Sequence, residues 1–180
     1  KAVVILEPDA LPQLDCLSAD GQSGRLQLFR YAVAQFKSAA PNALLYLDIG
    51  NSTWLQASTA ASRLIAAGVA DAHGFSLNVS NYQTTSDSTT YGNAIRSAMN
   101  QQSGFVKPFV VDTSRNGKGP YGSVWCDPPG RQLGVPSLVS ASGSQPEMTL
   151  WIKDPGDADG CAAAAGSFSP DLAYNLVHGY

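Results

Sequence analysis

The stretch Val3–Pro12 reads VVILEPDALP. Four apolar residues run into Glu7, Pro8 and Asp9, and the chain then returns to Leu11 and Pro12. An unbroken apolar run predicts a strand buried on both faces, as in a parallel sheet. Proline has no N–H to give to a ladder, so Pro8 marks where pairing stops. Glu7 and Asp9 therefore stand at the carboxyl end of a buried strand. In parallel α/β folds that rim is where sites are built.

The same unit recurs along the chain. Apolar runs predict strands at Val3–Leu6, Ala43–Leu47, Phe75–Val79, Pro108–Val111 and Thr149–Lys153. Helical patterns follow at Arg25–Ala39, Leu55–Ala67 and Tyr91–Gln102, with a short closing helix at Pro170–Val177. In the first of these, Leu26, Phe29, Val33 and Phe36 share one face. A Gly/Pro-rich loop runs from Asn116 to Glu147. Strands alternating with helices predict an α/β fold around a buried parallel sheet. A closed barrel of roughly eight strands usually takes about 250 residues. The chain therefore reads either as an open sheet or as a barrel whose first strands lie outside it.

Composition narrows the function. The 180 residues suit one domain, 44% are hydrophobic and only 14% are charged. The net charge is -3 with no basic run, which speaks against a nucleic-acid partner. No apolar stretch reaches the roughly 18 residues of a membrane span. The chain opens inside a strand without a Met, so it reads as a processed or truncated product. Abundant Ser, Thr, Asn, Gln and Gly with sparse Lys are expected of a secreted, extracellular protein. With three cysteines, two histidines and no Cys-x-x-Cys, a zinc site is not expected, nor any other metal or cofactor. Cys126 and Cys161 each follow a candidate site segment and are the expected disulfide pair, which leaves Cys16 without a partner in the chain.

Every strand ends in polar residues. The rim holds Glu7, Asp9, Asp48, Asn78, Asp112, Arg115, Lys153, Asp157 and Asp159, with Trp54, Trp125 and Trp151 close by. Carboxylates among tryptophans suit a sugar site, because indole faces stack on pyranose rings while carboxylates do acid/base work. No Gly-x-Ser-x-Gly elbow or phosphate loop competes with this reading. Taken alone, Asp112 reads as a cap or turn residue, Asp157 as a turn former, and Trp151 equally as core or as a sugar contact.

The motif VVILEPDALP also resembles the acid-bearing signature of glycoside hydrolase family six, the inverting cellulases. LYLDIGNSTWL, LNVSNY, VVDTSRNGKGP, VWCDPPGR and WIKDPGDADGC resemble later motifs of that family in the same order. The resemblance covers essentially the whole chain. It implies a distorted parallel α/β barrel of about seven strands, of which residues 1–180 would be roughly the C-terminal two-thirds of a catalytic domain. It implies hydrolysis of β-1,4-glucan with inversion, on a polysaccharide or cello-oligosaccharide, by a monomer.

Residue by residue, the resemblance implies that Asp9 is the general acid and Asp159 the second carboxylate, whose role as base is disputed. Arg115 would pair with Asp159, which suits a residue working as a carboxylate. Trp54 and Trp125 match sugar-stacking positions, and Lys153 and Asp157 match sugar-binding ones. Asp157 stands where the family usually has Glu, and Asn51 where some members carry His. Asn78 is a further candidate contact. Glu7 points to the side of Asp9 if the strand continues past Pro8, and would be structural or tune the acid, with Asp48 in support. The family also pairs the cysteines matching Cys126 and Cys161, and joins the one matching Cys16 to an upstream cysteine. Only Gly160 separates Asp159 from Cys161, so no roofing loop fits there. An open cleft and an endoglucanase are expected; a cellobiohydrolase or a non-catalytic carbohydrate-binding protein on the same scaffold are the alternatives.

Overall fold

The computed structural model describes residues 1–180. Strands β1 (Val3–Leu6), β2 (Leu44–Asp48), β3 (Gly74–Leu77), β4 (Phe109–Asp112), β5 (Leu138–Val139) and β6 (Met148–Leu150) form one sheet in the order β1-β2-β3-β4-β6-β5. All neighbours are parallel except β5, which pairs antiparallel with β6. The sheet curls as a half-barrel whose edges, β1 and β5, do not meet. Helices α1 (Ala19–Ala39), α2 (Ala57–Ala66) and α3 (Thr85–Ser103) connect the parallel strands, and α4 (Pro170–His178) closes the chain.

Side chains alternate across each strand, and here the two faces differ. Leu45, Leu47, Phe75, Leu77, Phe109 and Val111 point to the helices and join Phe29, Val33, Leu64, Ile95 and Met99 in the main core. Burying a Leu or Phe side chain is worth about 1.5–3 kcal/mol, so this face carries the stability. Packing there is close: a Cβ on Gly92 of α3 would meet the Phe109 ring at 2.4 Å. The other face holds only Tyr46, Val110 and Met148 as buried apolar residues. Further along the same face stand Asp48, Ser76 and Asp112, all fully buried. The concave face is thus apolar at its base and acidic at the strand tips.

Both long helices begin earlier than periodicity predicts. Ser18 caps α1 by accepting from the Gly21 N–H, and Thr84 caps α3 by accepting from the Asp87 N–H. Capping side chains set these starts, while the apolar stripe begins only a turn or more later. The last parallel strand ends at Leu150, so Trp151 lies outside it, 38% exposed, with its indole N–H donating to the Val135 carbonyl. β5 arises inside the long loop where no strand is expected; two residues are too short for a periodic signal. No helix is long and apolar enough to cross a membrane.

Candidate active site

Past β1 the chain does not stay extended. Glu7 and Asp9 both take positive φ, 49° and 69°, and the Ala10 and Gln13 N–H groups donate back to the Glu7 and Asp9 carbonyls. The expectation that Glu7 and Asp9 share a side fails here, because the backbone turns at Pro8. Glu7 faces a groove beside α1 with Leu6, Ala10 and Arg25. Asp9 alone faces the cleft, half-buried.

The turn is tied to β2. The Asp9 N–H donates to Asp48 Oδ2 at 2.9 Å, the Gly50 N–H to the same oxygen at 3.1 Å, and the Ser76 hydroxyl to Oδ1 at 3.1 Å. Burial raises the pKa of Asp9. It pushes Asp48 up to about 7, with the charge of Asp9 adding to the rise and the three donors opposing it. Burial together with the charge of Asp9 disfavours an ionised Asp48, so the pair holds a proton toward neutral pH.

Asp159 stands among cations instead. Arg115 Nη2 lies 2.8 Å from Oδ1 and Lys153 Nζ 3.6 Å from it. The Tyr82 hydroxyl and the Asp127 N–H donate to Oδ2 at 3.3 and 3.1 Å. Arg115 is itself held by the Ser80 carbonyl, to which its Nε and Nη2 both donate, and it lies 4.4 Å over the Tyr82 ring. The Arg115–Asp159 contact expected from the sequence is therefore present.

Asp9 and Asp159 line one cavity of about 410 Å3, with Trp54, Trp125, Asn81 and Gln13 among its walls. A second cavity of about 470 Å3 shares Trp54, Asn81 and Trp125 and adds Asn51 and Thr53. Together they make one open groove. Trp54 and Trp125 are 41% and 67% exposed, so both rings present apolar area to whatever enters.

Other expected residues fall elsewhere. Asp157 lines a separate cavity of about 220 Å3 behind Arg115, with Arg131 and Tyr180. Asn78 is buried and spent on backbone: its Nδ2 donates to the Asn81, Gln83 and Asp112 carbonyls, and its Oδ1 accepts the Gln83 N–H. It shapes the loop that carries Asn81 and Tyr82 and has no free polar atom for a ligand. Asp112 accepts the Ser80, Ser114, Ile152 and Lys153 N–H groups, so it gathers three rim segments. Cys126 and Cys161 form a disulfide with Cα atoms 5.8 Å apart, and Cys16 is a free, exposed thiol.

Sequence reasoning missed Asp127 and Gln13, and it placed Asn81 and Tyr82 at the tip of the third strand without giving either a site role. Asp127 had one signal, its place directly after Cys126; the rest lie in loops whose path only folding sets.

A family model described as Glycosyl hydrolases family 6 matches residues 1–174. Endoglucanase 1 of Streptomyces halstedii is 47% identical over 184 residues, covering 99% of this chain and 56% of the relative. The 1,4-beta-D-glucan cellobiohydrolase C of Emericella nidulans is 30% identical over 205 residues, covering 96% of this chain and 45% of the relative. Among solved structures, the endoglucanase Cel6 of Mycobacterium tuberculosis, in complex with methyl-cellobiosyl-4-deoxy-4-thio-β-D-cellobioside, superposes with a TM-score of 0.91 at 43% identity. That match covers 99% of this chain and 61% of the solved one. The chain spans about half the length of the curated relatives it matches. With a family match over residues 1–174 and a TM-score of 0.91 to a solved relative across 99% of its own 180 residues, the chain belongs to glycosyl hydrolase family 6.

Proposed function

We propose that residues 1–180 are part of a catalytic domain that hydrolyses internal β-1,4-glucosidic bonds of cellulose or a related β-glucan, with inversion. The observation that carries this reading is one open groove holding two carboxylates in opposite surroundings, with two exposed tryptophans between which a sugar chain can lie.

Asp9 is the general acid. Its proton comes from the pair it forms with Asp48, and it passes to the glycosidic oxygen as the bond to the anomeric carbon breaks. A water attacks that carbon from the opposite face and releases its proton toward the Asp159 side. Asp159 acts as base or stabilises the developing positive charge, with Arg115 and Lys153 fixing its place. An inverting pair stands about 6.5–9.5 Å apart to admit that water. Trp54 and Trp125 stack glucosyl rings, and Lys153 contacts the sugar nearest Asp159. Asp157 takes a sugar hydroxyl only from the rear cavity, and Asn78 acts by shaping the rim. None of these steps calls for a cofactor or a metal. The disulfide supports an extracellular setting.

The relatives include both endoglucanases and cellobiohydrolases, and the endoglucanases are the more similar. A segment of one residue, Gly160, between Asp159 and Cys161 leaves the groove unroofed on that side. The test is the viscosity of carboxymethylcellulose followed against reducing ends released, with NMR of the fresh product. A rapid viscosity drop and an initial α-anomer are expected. Slow viscosity loss with steady cellobiose release would show attack from chain ends, and an initial β-anomer would show retention.

A further inference from the structure

Asp127 is absorbed by neither the fold nor the mechanism, yet it grips the segment carrying Asp159 from two sides. Its carboxylate accepts the Asp159 N–H at 2.7 Å on Oδ1, and the Cys161 and Ala162 N–H groups, both at 2.9 Å, on Oδ2. Its own backbone N–H donates to Oδ2 of Asp159 at 3.1 Å. Successive N–H groups turned toward one anion make a concave nest, and here the anion is a side chain of the facing loop. Asp127 adopts a positive φ of 45°, which turns its backbone N–H toward Asp159 while its side chain reaches residues 159–162. Burial works to raise the Asp127 carboxyl, but the N–H donors of Ala162, Asp159, Cys161 and Gly160 outweigh it and hold it below the usual range.

The neighbouring Cys126–Cys161 disulfide ties the same two loops. It fixes where residue 161 sits and leaves the side-chain torsions of Asp159 free. The Asp127 carboxylate holds the backbone N–H of Asp159, beside the root of that side chain, while the Asp127 N–H joins the Tyr82 hydroxyl on the oxygen that Arg115 does not hold.

We infer that Asp127 is a positioning residue for hydrolysis: it sets the place of the Asp159 carboxylate on the cleft wall, opposite Arg115. The inference rests on the reading of Asp159 as a working carboxylate. A misplacement of about 1 Å at a reacting group can cost on the order of 10²-fold in rate, so the effect belongs in kcat, with KM little changed.

The experiment compares the parent chain with Asp127→Ala and Asp127→Asn. Crystal structures without substrate locate Asp159, and kcat and KM are measured on mixed-linkage β-glucan. Asp159 is expected to leave Arg115 in Asp127→Ala, with kcat falling up to about 10²-fold. Asp127→Asn keeps one acceptor oxygen but sets an amide donor against an N–H, so it should fall between the two. It also serves as the test variant if Asp127→Ala does not fold. Asp159 staying on Arg115, or moving with kcat unchanged, overturns the inference. Absence of turnover on any β-glucan by the whole catalytic domain that carries residues 1–180 sinks the hydrolase reading, and the position of Asp159 in the variants then decides this inference alone.

Discussion

On one wall of the cleft Asp9 leans on a buried carboxyl, Asp48; on the other, Asp159 leans on a buried guanidinium, Arg115. Both walls are built at strand tips of the same sheet; on the first the Asp9 backbone N–H is tied to the Asp48 carboxylate, and on the second the Asp159 carboxylate itself receives the Asp127 N–H and the Arg115 guanidinium. The difference is the sign of the neighbour. Burial, with the charge of Asp9, raises the pKa of Asp48, so that wall can hold a proton, whereas the Asp159 carboxylate is ion-paired with Arg115.

The largest effect should come from removing Asp9, the proton donor of the proposed mechanism. Asp9→Asn is nearly isosteric, and general acid catalysis is worth about 10²–10⁴-fold. Turnover of β-glucan should fall by at least that range while binding of cello-oligosaccharides, read by calorimetry, persists. Turnover near the parent rate would show that the two walls do not divide the work as described.

The opposite wall should break through stability. Side chains of Arg115 and Asp159 are 6% and 8% exposed, and removing one partner of a buried pair costs about 3–5 kcal/mol. Arg115→Met should lower the urea midpoint accordingly, and a second change, Asp159→Asn, should recover part of the loss by removing the stranded charge. A loss under about 1 kcal/mol, the scale of a surface pair, would mean that Lys153 alone suffices.

Asp48→Asn gives the smallest effect and the finest test. An asparagine can still accept the Asp9 and Gly50 N–H groups and donate to Ser76, so the turn should survive. Asparagine cannot hold the proton that Asp48 keeps up to about 7, so the pair loses that proton and the alkaline limb of the kcat profile should move to lower pH. Stability carries the same signature. Asp48 titrates near 7 in the fold against 3.8 in a free chain. The folded chain therefore binds the extra proton between those values, and stability from Asp48 is present below about 4 and lost as pH rises through about 7. Relative to the parent, Asp48→Asn should gain stability over that window. An unchanged alkaline limb together with an unchanged stability difference from pH 4 to 7 would show that Asp48 only holds the turn.

Much of this was legible before folding. The apolar run Val3–Leu6 broken by Pro8 gave a strand, its direction of burial and a rim position for Asp9, because proline and side-chain alternation act locally. The repeat of such runs gave a parallel sheet, and the spacing of Cys126 and Cys161 beside site segments gave the disulfide. The residues Trp54, Trp125, Arg115 and Asp159 were named from motifs, and they do line or flank one groove. Tertiary structure decided the rest. It turned Glu7 away from Asp9, since the torsions after Pro8 depend on a hydrogen bond to Asp48, 39 residues further on. It placed Asp157 behind Arg115, spent Asn78 on backbone carbonyls and recruited Asp127 from the facing loop. Local sequence sets backbone propensity and which face of a strand is apolar; which polar group meets which across a rim is set by contacts between distant segments, and those exist only once the sheet has formed.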